Sequence, residues 1–412
     1  MRFVSFIICL TLFGPSLGAF TLPPLTGDLS GRLVLQSWGK LPDIDWQIRA
    51  RPTNTGENQL MAELNAHGLK AVMDLQLAQK EGTISWQIRS AEIDLSVWGP
   101  PLAANFGGTS VPADILVTGL LKFSGSGTLN GSDLAGNLIA TLADGSAHSV
   151  QQNWNLNRLD LEAKVDLASG GALLQSLQLH VNEANAVGMT ATEIAVYAAG
   201  DPQHRLLIQQ AELSMLGGRI NLRPFMLDLG NPVIDTTADL DGVDMSALAA
   251  FVPEALSEAK GRVSGRIAVR WSSKLGIQPG DGLLTVSPDT PASIRLTSTP
   301  GFLTQHTTER IQFLPDSFGR FGKWLSVENP AYDTLRRIEL GELPLVVEKL
   351  RVELYPDGPS GPRSATAVVQ ARPADGSAVG LVSFQVNVSG PLDEVLKLGT
   401  NDKVKFRVDT KP

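Results

Sequence analysis

The sequence predicts a mainly β protein, a mostly antiparallel sheet interrupted by one amphipathic helix and completed by a small helical cap. Three observations predict it. Apolar and polar residues alternate along the chain, as in Leu159, Leu161, Ala163, Val165 and Leu167 against Asp160, Glu162, Lys164 and Asp166, the pattern of strands with one covered and one wet face. Glycine and Asn-Gly or Asp-Gly pairs, at Asn130-Gly131, Asp144-Gly145 and Asp375-Gly376, punctuate the alternation as turns. One segment, about Met245 to Glu258, instead places Met245, Leu248, Ala249, Val252 and Leu256 on a helical face. By these signals the chain holds roughly twenty strands.

In chain order, residues 1–18 read as a secretory signal peptide: Arg2, an apolar run from Phe3 to Phe13, then Gly14-Pro15 and small residues. Cleavage after Gly18 or Ala19 is expected, because that run is shorter than the roughly 20 apolar residues a spanning helix needs; an uncleaved anchor is the alternative. Cys9 lies inside this segment, so the mature chain has no thiol for a disulfide or a metal. Residues 19–200 form an N-terminal β region. Within it Trp-Gln-Ile-Arg occurs at Trp46 to Arg49 and again at Trp86 to Arg89, either a duplicated unit or a coincidence.

A composition shift at Ala199-Gly200-Asp201-Pro202 opens the second β region, 201–412. Ala211, Leu213 and Met215, then Gly217-Gly218, then Ile220 and Leu222 read as a hairpin. Asp244 is placed to cap the helix at about 245–258, with Pro253 a kink or the first turn of a second piece. Sheet resumes at Gly-Arg-Val-Ser-Gly-Arg (261–266), with Val263, Ile267, Val269 and Trp271 against Arg262, Ser264, Arg266 and Arg270, and Pro279-Gly280-Asp281-Gly282 read as a turn. Gly301 to Leu340 is the least strand-like stretch. Short helices are expected at Pro315 to Leu325 and Tyr332 to Ile338, and Phe313, Phe318, Phe321 and Trp324 lie close together, the segment forming either a cap over one sheet end or a gate or membrane-contacting patch. The last strands carry Val352 and Leu354, then Val382, Phe384, Val386 and Val388, then Val404, Phe406 and Val408.

No catalytic constellation stands out, and an enzyme is not expected. The histidines are scattered without a metal-ligand neighbour at helical spacing. Ser126 between Gly125 and Gly127 reads as a turn residue. Asp239-x-Asp241-Gly242-x-Asp244 has the wrong order for a calcium loop and Ala250 where its last glutamate would fall. No cofactor is implied. A formal net charge of -8 argues against a nucleic-acid partner, and without a later apolar run of spanning length the mature protein is expected to be soluble or peripheral to a membrane.

The Gly217-Gly218 hairpin, the Gly-x-Asp helix start at 242–244, the Gly261-x-x-x-Gly265-Arg266 return strand and the Pro279–Gly282 segment resemble the C-terminal region of the YdbH proteins, in the AsmA-like group that includes TamB. The likeness runs roughly from Leu206 to Val408. It implies a long, bent sheet folded into an open groove, a place in the periplasm or cell envelope of a double-membraned bacterium, and phospholipid carried between membranes. An older description of the region as a dicarboxylate transport domain would need a pore-forming segment, and the sequence has none. The resemblance further implies a small outer-membrane lipoprotein, or another envelope protein, added at an edge strand. Alternation alone does not distinguish an open groove from a closed sandwich; the likeness favours the groove, with Val263, Ile267, Trp271, Val352, Leu354, Phe384, Val386 and Val388 as candidate lipid-facing residues. A non-catalytic assembly factor of the outer membrane and an extracytoplasmic small-solute binding module are the alternatives.

Overall fold

The computed structural model describes residues 25–409 apart from 35–40, 54–57, 78–82, 107–113, 131–132, 152, 169–170, 187, 204, 229, 250–254, 273–275, 306, 312–325, 356–363, 378 and 390–404. The chain is mostly strand, antiparallel and not closed into a barrel, with three short helices among the described residues. It divides into two compact units, Met1–Ala211 with Pro224–Pro232, and Glu212–Arg223 with Val233–Pro412. The expected signal segment, the Asn130-Gly131 turn and the aromatic run Phe313 to Trp324 with its helix at 315–325 fall wholly or partly outside the described residues.

The first unit is a meander in which each strand pairs with the next. Its first half comprises β1 (Gly27–Leu33), β2 (Ile44–Pro52), β3 (Asn58–Ala66), β4 (Leu69–Leu77) and β5 (Thr83–Asp94). Helix α1 (Leu95–Phe106) intervenes. The meander resumes with β6 (Ile115–Asn130), β7 (Asp133–Ser149), β8 (Trp154–Ala168), β9 (Gly171–Ala186) and β10 (Met189–Gly200). Next come β11 (Arg205–Met215), β12 (Gly218–Leu222) and β13 (Phe225–Asp228), and the start of β11 pairs with β13 in this unit.

Two expected turns prove to lie inside strands. Ser126 sits within β6, where Gly125 and Gly127 are needed because a Cβ at either would stand 2.3 or 2.1 Å from a carbonyl oxygen of β7. Asp144-Gly145 is a bulge in β7: Asp144 takes φ 53°, its N–H donates to Asp160 Oδ1 at 2.9 Å, and the register slips between Leu142 and Gly145.

In the second unit β12 pairs with β14 (Val233–Asp244). Helix α2 (Met245–Ala249) and β15 (Leu256–Lys260) follow, then β16 (Arg262–Ser272), β17 (Gly276–Val286) and β18 (Ala292–Leu296). A small pair, β19 (Arg310–Ile311) and β20 (Val327–Glu328), precedes α3 (Pro330–Glu339). The chain ends on β21 (Leu345–Tyr355), β22 (Ser364–Pro373), β23 (Val382–Ser389) and β24 (Lys405–Asp409). The main ladder runs β12, β14, β16, β17, β21, β22, β23, β24, and β15 joins β21 through β18.

The helix expected over 245–258 starts where Asp244 caps it but is described only to Ala249, and Leu256 to Glu258 belong to β15. The ladder from β15 to β18 satisfies backbone groups that a longer helix would otherwise bond along its own axis. Pro279–Gly282 is likewise no turn but part of β17, at a register slip opposite Ile267 and Val269. Helix α3 contains the expected Tyr332 to Ile338: Asn329 caps it by accepting from the Ala331 N–H at 3.1 Å, Pro330 occupies its first turn, and Gly341 at φ 72° ends it. Helix α1 was not foreseen, because Pro100 and Pro101 lie within it and proline reads as a helix breaker.

Candidate functional site

Register turns the alternation of single strands into continuous apolar rows. In the first unit Leu29, Ile48, Ala62, Met73, Ile88, Gly125, Leu138, Val165 and Leu174 are successive cross-strand partners from β1 to β9. A parallel row runs through Gly31, Trp46, Leu64, Ala71, Ala91, Phe123, Ala140, Ala163, Leu177 and Ala198, reaching β10. Ion pairs such as Arg89 with Asp74 and Lys122 with Glu92 join charged residues of neighbouring strands. The two copies of Trp-Gln-Ile-Arg gain a shared meaning: a Cβ on Gly31 would lie 2.7 Å from Trp46, and one on Gly127 or Gly136 would lie 2.7 or 2.8 Å from Trp86. Both indoles cover glycines of adjoining strands.

Helix α1 closes one end of this face. Trp98 is 5% exposed, packs with Ile44 and Ile93, and donates its Nε1–H to the His67 carbonyl at 2.9 Å. Away from the helix Ile48, Met73, Ile88, Leu138, Val165 and Leu174 remain only half-buried.

The second unit repeats the arrangement. One row runs Leu222, Ala238, Ile267, Gly282, Leu354, Ala365, Val388, Phe406, and its neighbour runs Ile220, Leu240, Gly265, Leu284, Val352, Ala367, Val386, Val408. Five candidate residues from the sequence therefore share two adjacent rows. Trp271 lies further along β16, opposite Ile234 and Ile277. Ile267 and Leu354 converge on Gly282, where a Cβ would stand 3.2 and 3.0 Å from their side chains.

Val263 and Phe384 differ from the other candidates. They are 2% and 3% exposed, in a closed core with Met245 and Ala249 of α2, Ile338 of α3 and Leu343. Phe302 meets Phe384 edge to face with ring centroids 6.5 Å apart. Ile267, Trp271, Val352, Leu354 and Val386 stay half-buried. The candidates thus separate into an enclosed pair under the helices, with Val386 packed against the same core, and a partly open group of Ile267, Trp271, Val352 and Leu354.

The closures of the two units share their chemistry. Asp94 precedes Leu95-Ser96 and Asp244 precedes Met245-Ser246, and each carboxylate accepts from the serine N–H, at 2.9 and 2.8 Å. In each case the aspartate N–H reaches back to a glycine-bearing turn, Asp94 to the Gly68 carbonyl at 2.8 Å and Asp244 to the Leu216 carbonyl at 2.9 Å. Gly68 and Gly217 have φ 71° and 73°, the left-handed region open to glycine. Hydrogen bonds from Ser96 hold the Asp94 carboxyl below its ordinary pKa.

The Gly-Arg-Val-Ser-Gly-Arg segment is joinery for the second closure. Arg262 Nη1 donates to the carbonyls of Gly217 at 3.0 Å and Gly242 at 2.8 Å, while Ser264 Oγ accepts from the Gly242 N–H at 3.0 Å. The nearby acidic residues are committed to separate partners: Asp239 makes a two-point pair with Arg223, and Asp244 caps α2.

Glu339, unremarked in the sequence, anchors the lid of this core. It is 3% exposed, and its two oxygens accept from the N–H groups of Gly301, Leu303 and Thr304 and from Thr304 Oγ1, at 2.8 to 3.1 Å. Burial works to raise its pKa, and the hydrogen bonds outweigh it, so the carboxyl lies below its ordinary value. The loop it holds includes Phe302. No local pattern could have singled Glu339 out, since its partners lie more than thirty residues away.

Among the described residues no helix is long and apolar enough to cross a membrane. A family model described as YdbH-like, intermembrane phospholipid transport protein YdbH, matches residues 18–305. The match takes in the N-terminal β region, which the motif likeness over Leu206 to Val408 left out, and it ends before α3. No curated protein and no solved structure matches the chain.

Proposed function

The chain belongs to the YdbH-like family, and on that premise we propose that it binds or conducts phospholipid between membranes on the apolar faces of its two units, without catalysing a reaction. The observation that carries the reading is the continuity of the rows: cross-strand partners stay apolar over strand after strand, and among them Ile267, Val352 and Leu354 are half-buried beside the buried Ala238, Leu284 and Ala365. Each methylene that leaves water for such a face gains about 0.8 kcal/mol, so an acyl chain can lie along a row while its headgroup stays hydrated.

Within the second unit the lipid-facing group is Ile267, Trp271, Val352, Leu354, Val386 and Val388. Val263 and Phe384 serve instead as the floor of the closed end. The protein acts in the periplasm or cell envelope of a double-membraned bacterium, with residues 1–18 as its export signal, and β24 offers an edge on which a small outer-membrane lipoprotein or another envelope protein docks as an added strand.

Site-directed photocrosslinking tests the lipid reading. A photoreactive residue at Ile267 or Leu354 is expected to capture phospholipid, one at Arg266 on the opposite face is not, and one at the enclosed Phe384 gives little. Equal capture at Ile267 and Arg266, or none at Ile267 and Leu354, would sink the reading.

A further inference from the structure

Apart from the apolar rows, the first unit carries a polar cleft of about 550 Å³ between the ends of the β7–β8 and β9–β10 hairpins, within the size range of small-molecule sites. We propose that this cleft binds a neutral polyhydroxylated group, a mono- or disaccharide unit, through Asn155 and its cross-strand neighbours. His148, Asn155, Asn185 and Thr190 are successive partners on β7, β8, β9 and β10, so four polar side chains form one row at the cleft.

The row is ordered in advance. Asn185 is held at both ends, its amide nitrogen donating to Glu183 Oε1 at 2.6 Å and its oxygen accepting from Thr190 Oγ1 at 2.6 Å. Asn155, between His148 and Asn185, has a buried amide oxygen with no partner among the described residues. A buried acceptor left unpaired is costly and rare, and a ligand hydroxyl is the donor that would satisfy it.

The charge of the lining selects the ligand class. Among the described residues no Asp, Glu, Lys or Arg lines the cleft, so an anion finds no counter-charge there. Glu183, bound to Asn185, adds repulsion for phosphate. Amide groups offer a donor and an acceptor side by side, matching adjacent hydroxyls. The chemistry therefore disfavours a phospholipid's phosphate, and the proposal stands independently of the lipid reading.

Calorimetric titration of the full chain with glucose, N-acetylglucosamine and maltose, with inorganic phosphate and glycerol 3-phosphate alongside, tests it. Saturable binding of a neutral saccharide is expected, weakened about tenfold or more by Asn155→Ala at unchanged melting temperature. Thr190→Val, which frees Asn185, is expected to act in the same direction and replaces the first variant if that does not fold. Absence of saturable binding by every saccharide, equal affinity in wild type and variants, or tighter binding of the phosphates overturns the proposal.

Discussion

Glu339 shows how one side chain decides what a face can do. Its carboxylate gathers donors from the 301–304 loop, the loop sets Phe302 against Phe384, and that contact closes the end of the second unit's apolar face. Glu339→Gln turns one acceptor oxygen into a donor facing backbone N–H groups, and a loss of about 1–3 kcal/mol is expected in urea unfolding. The pH dependence has a definite sign. Because the folded pKa is lowered, the carboxylate's contribution is complete above the unfolded value of about 4.3 and is lost as pH falls through the folded value. Wild-type stability is expected to drop across that acidic window, with a smaller drop in the glutamine variant. Parallel pH profiles for the two proteins would remove Glu339 from this role.

At the scale of elements, the two units use the same device twice: a strand ends on aspartate, the aspartate caps a helix through a serine two residues on, and the helix covers one end of an apolar face. Among the described residues the opposite kind of boundary is β24, which pairs with β23 through Gln385 to Ser389. An outer strand presents backbone donors and acceptors to a partner, though charges such as Lys405 and Arg407 equally suit an edge kept from aggregating. Proline at Phe406 removes one backbone donor. If the edge docks a partner, envelope proteins recovered by affinity purification of wild type are expected to be missing from the Phe406→Pro preparation at matched folding. The same set from both would place docking elsewhere.

For the whole molecule, the driving force of the proposed activity is apolar burial, and the formal net charge of -8 gives anionic headgroups no attraction. Transfer of fluorescent phospholipid between vesicles is therefore expected to vary little with ionic strength, because screening acts on exposed charges and leaves apolar burial almost untouched. Replacing Ile267 by Asp puts a charge into the row shared with Leu354 and is expected to lower transfer, while Arg266→Asp is not. Steep loss of transfer with added salt would point to an electrostatic mechanism instead.

The sequence by itself determined which side of each strand is apolar, because a strand's two-residue period is a property of the local backbone. Asp244 as a cap and the α3 segment were legible for the same reason, each resting on neighbours within a few residues. Tertiary structure alone decided the rest. Asp144-Gly145 has the composition of a turn and became a bulge, because β7 continues pairing with β8 beyond it. Leu256 to Glu258 suit a helical face and became strand, because β18 was there to pair with them. Phe384 and Leu354 have the same pattern in sequence, yet one is enclosed by Phe302 and Ile338 while the other lies over Gly282, half-buried. Alternation assigns a residue to a face, but register and closure depend on groups that meet only when distant parts of the chain pack together.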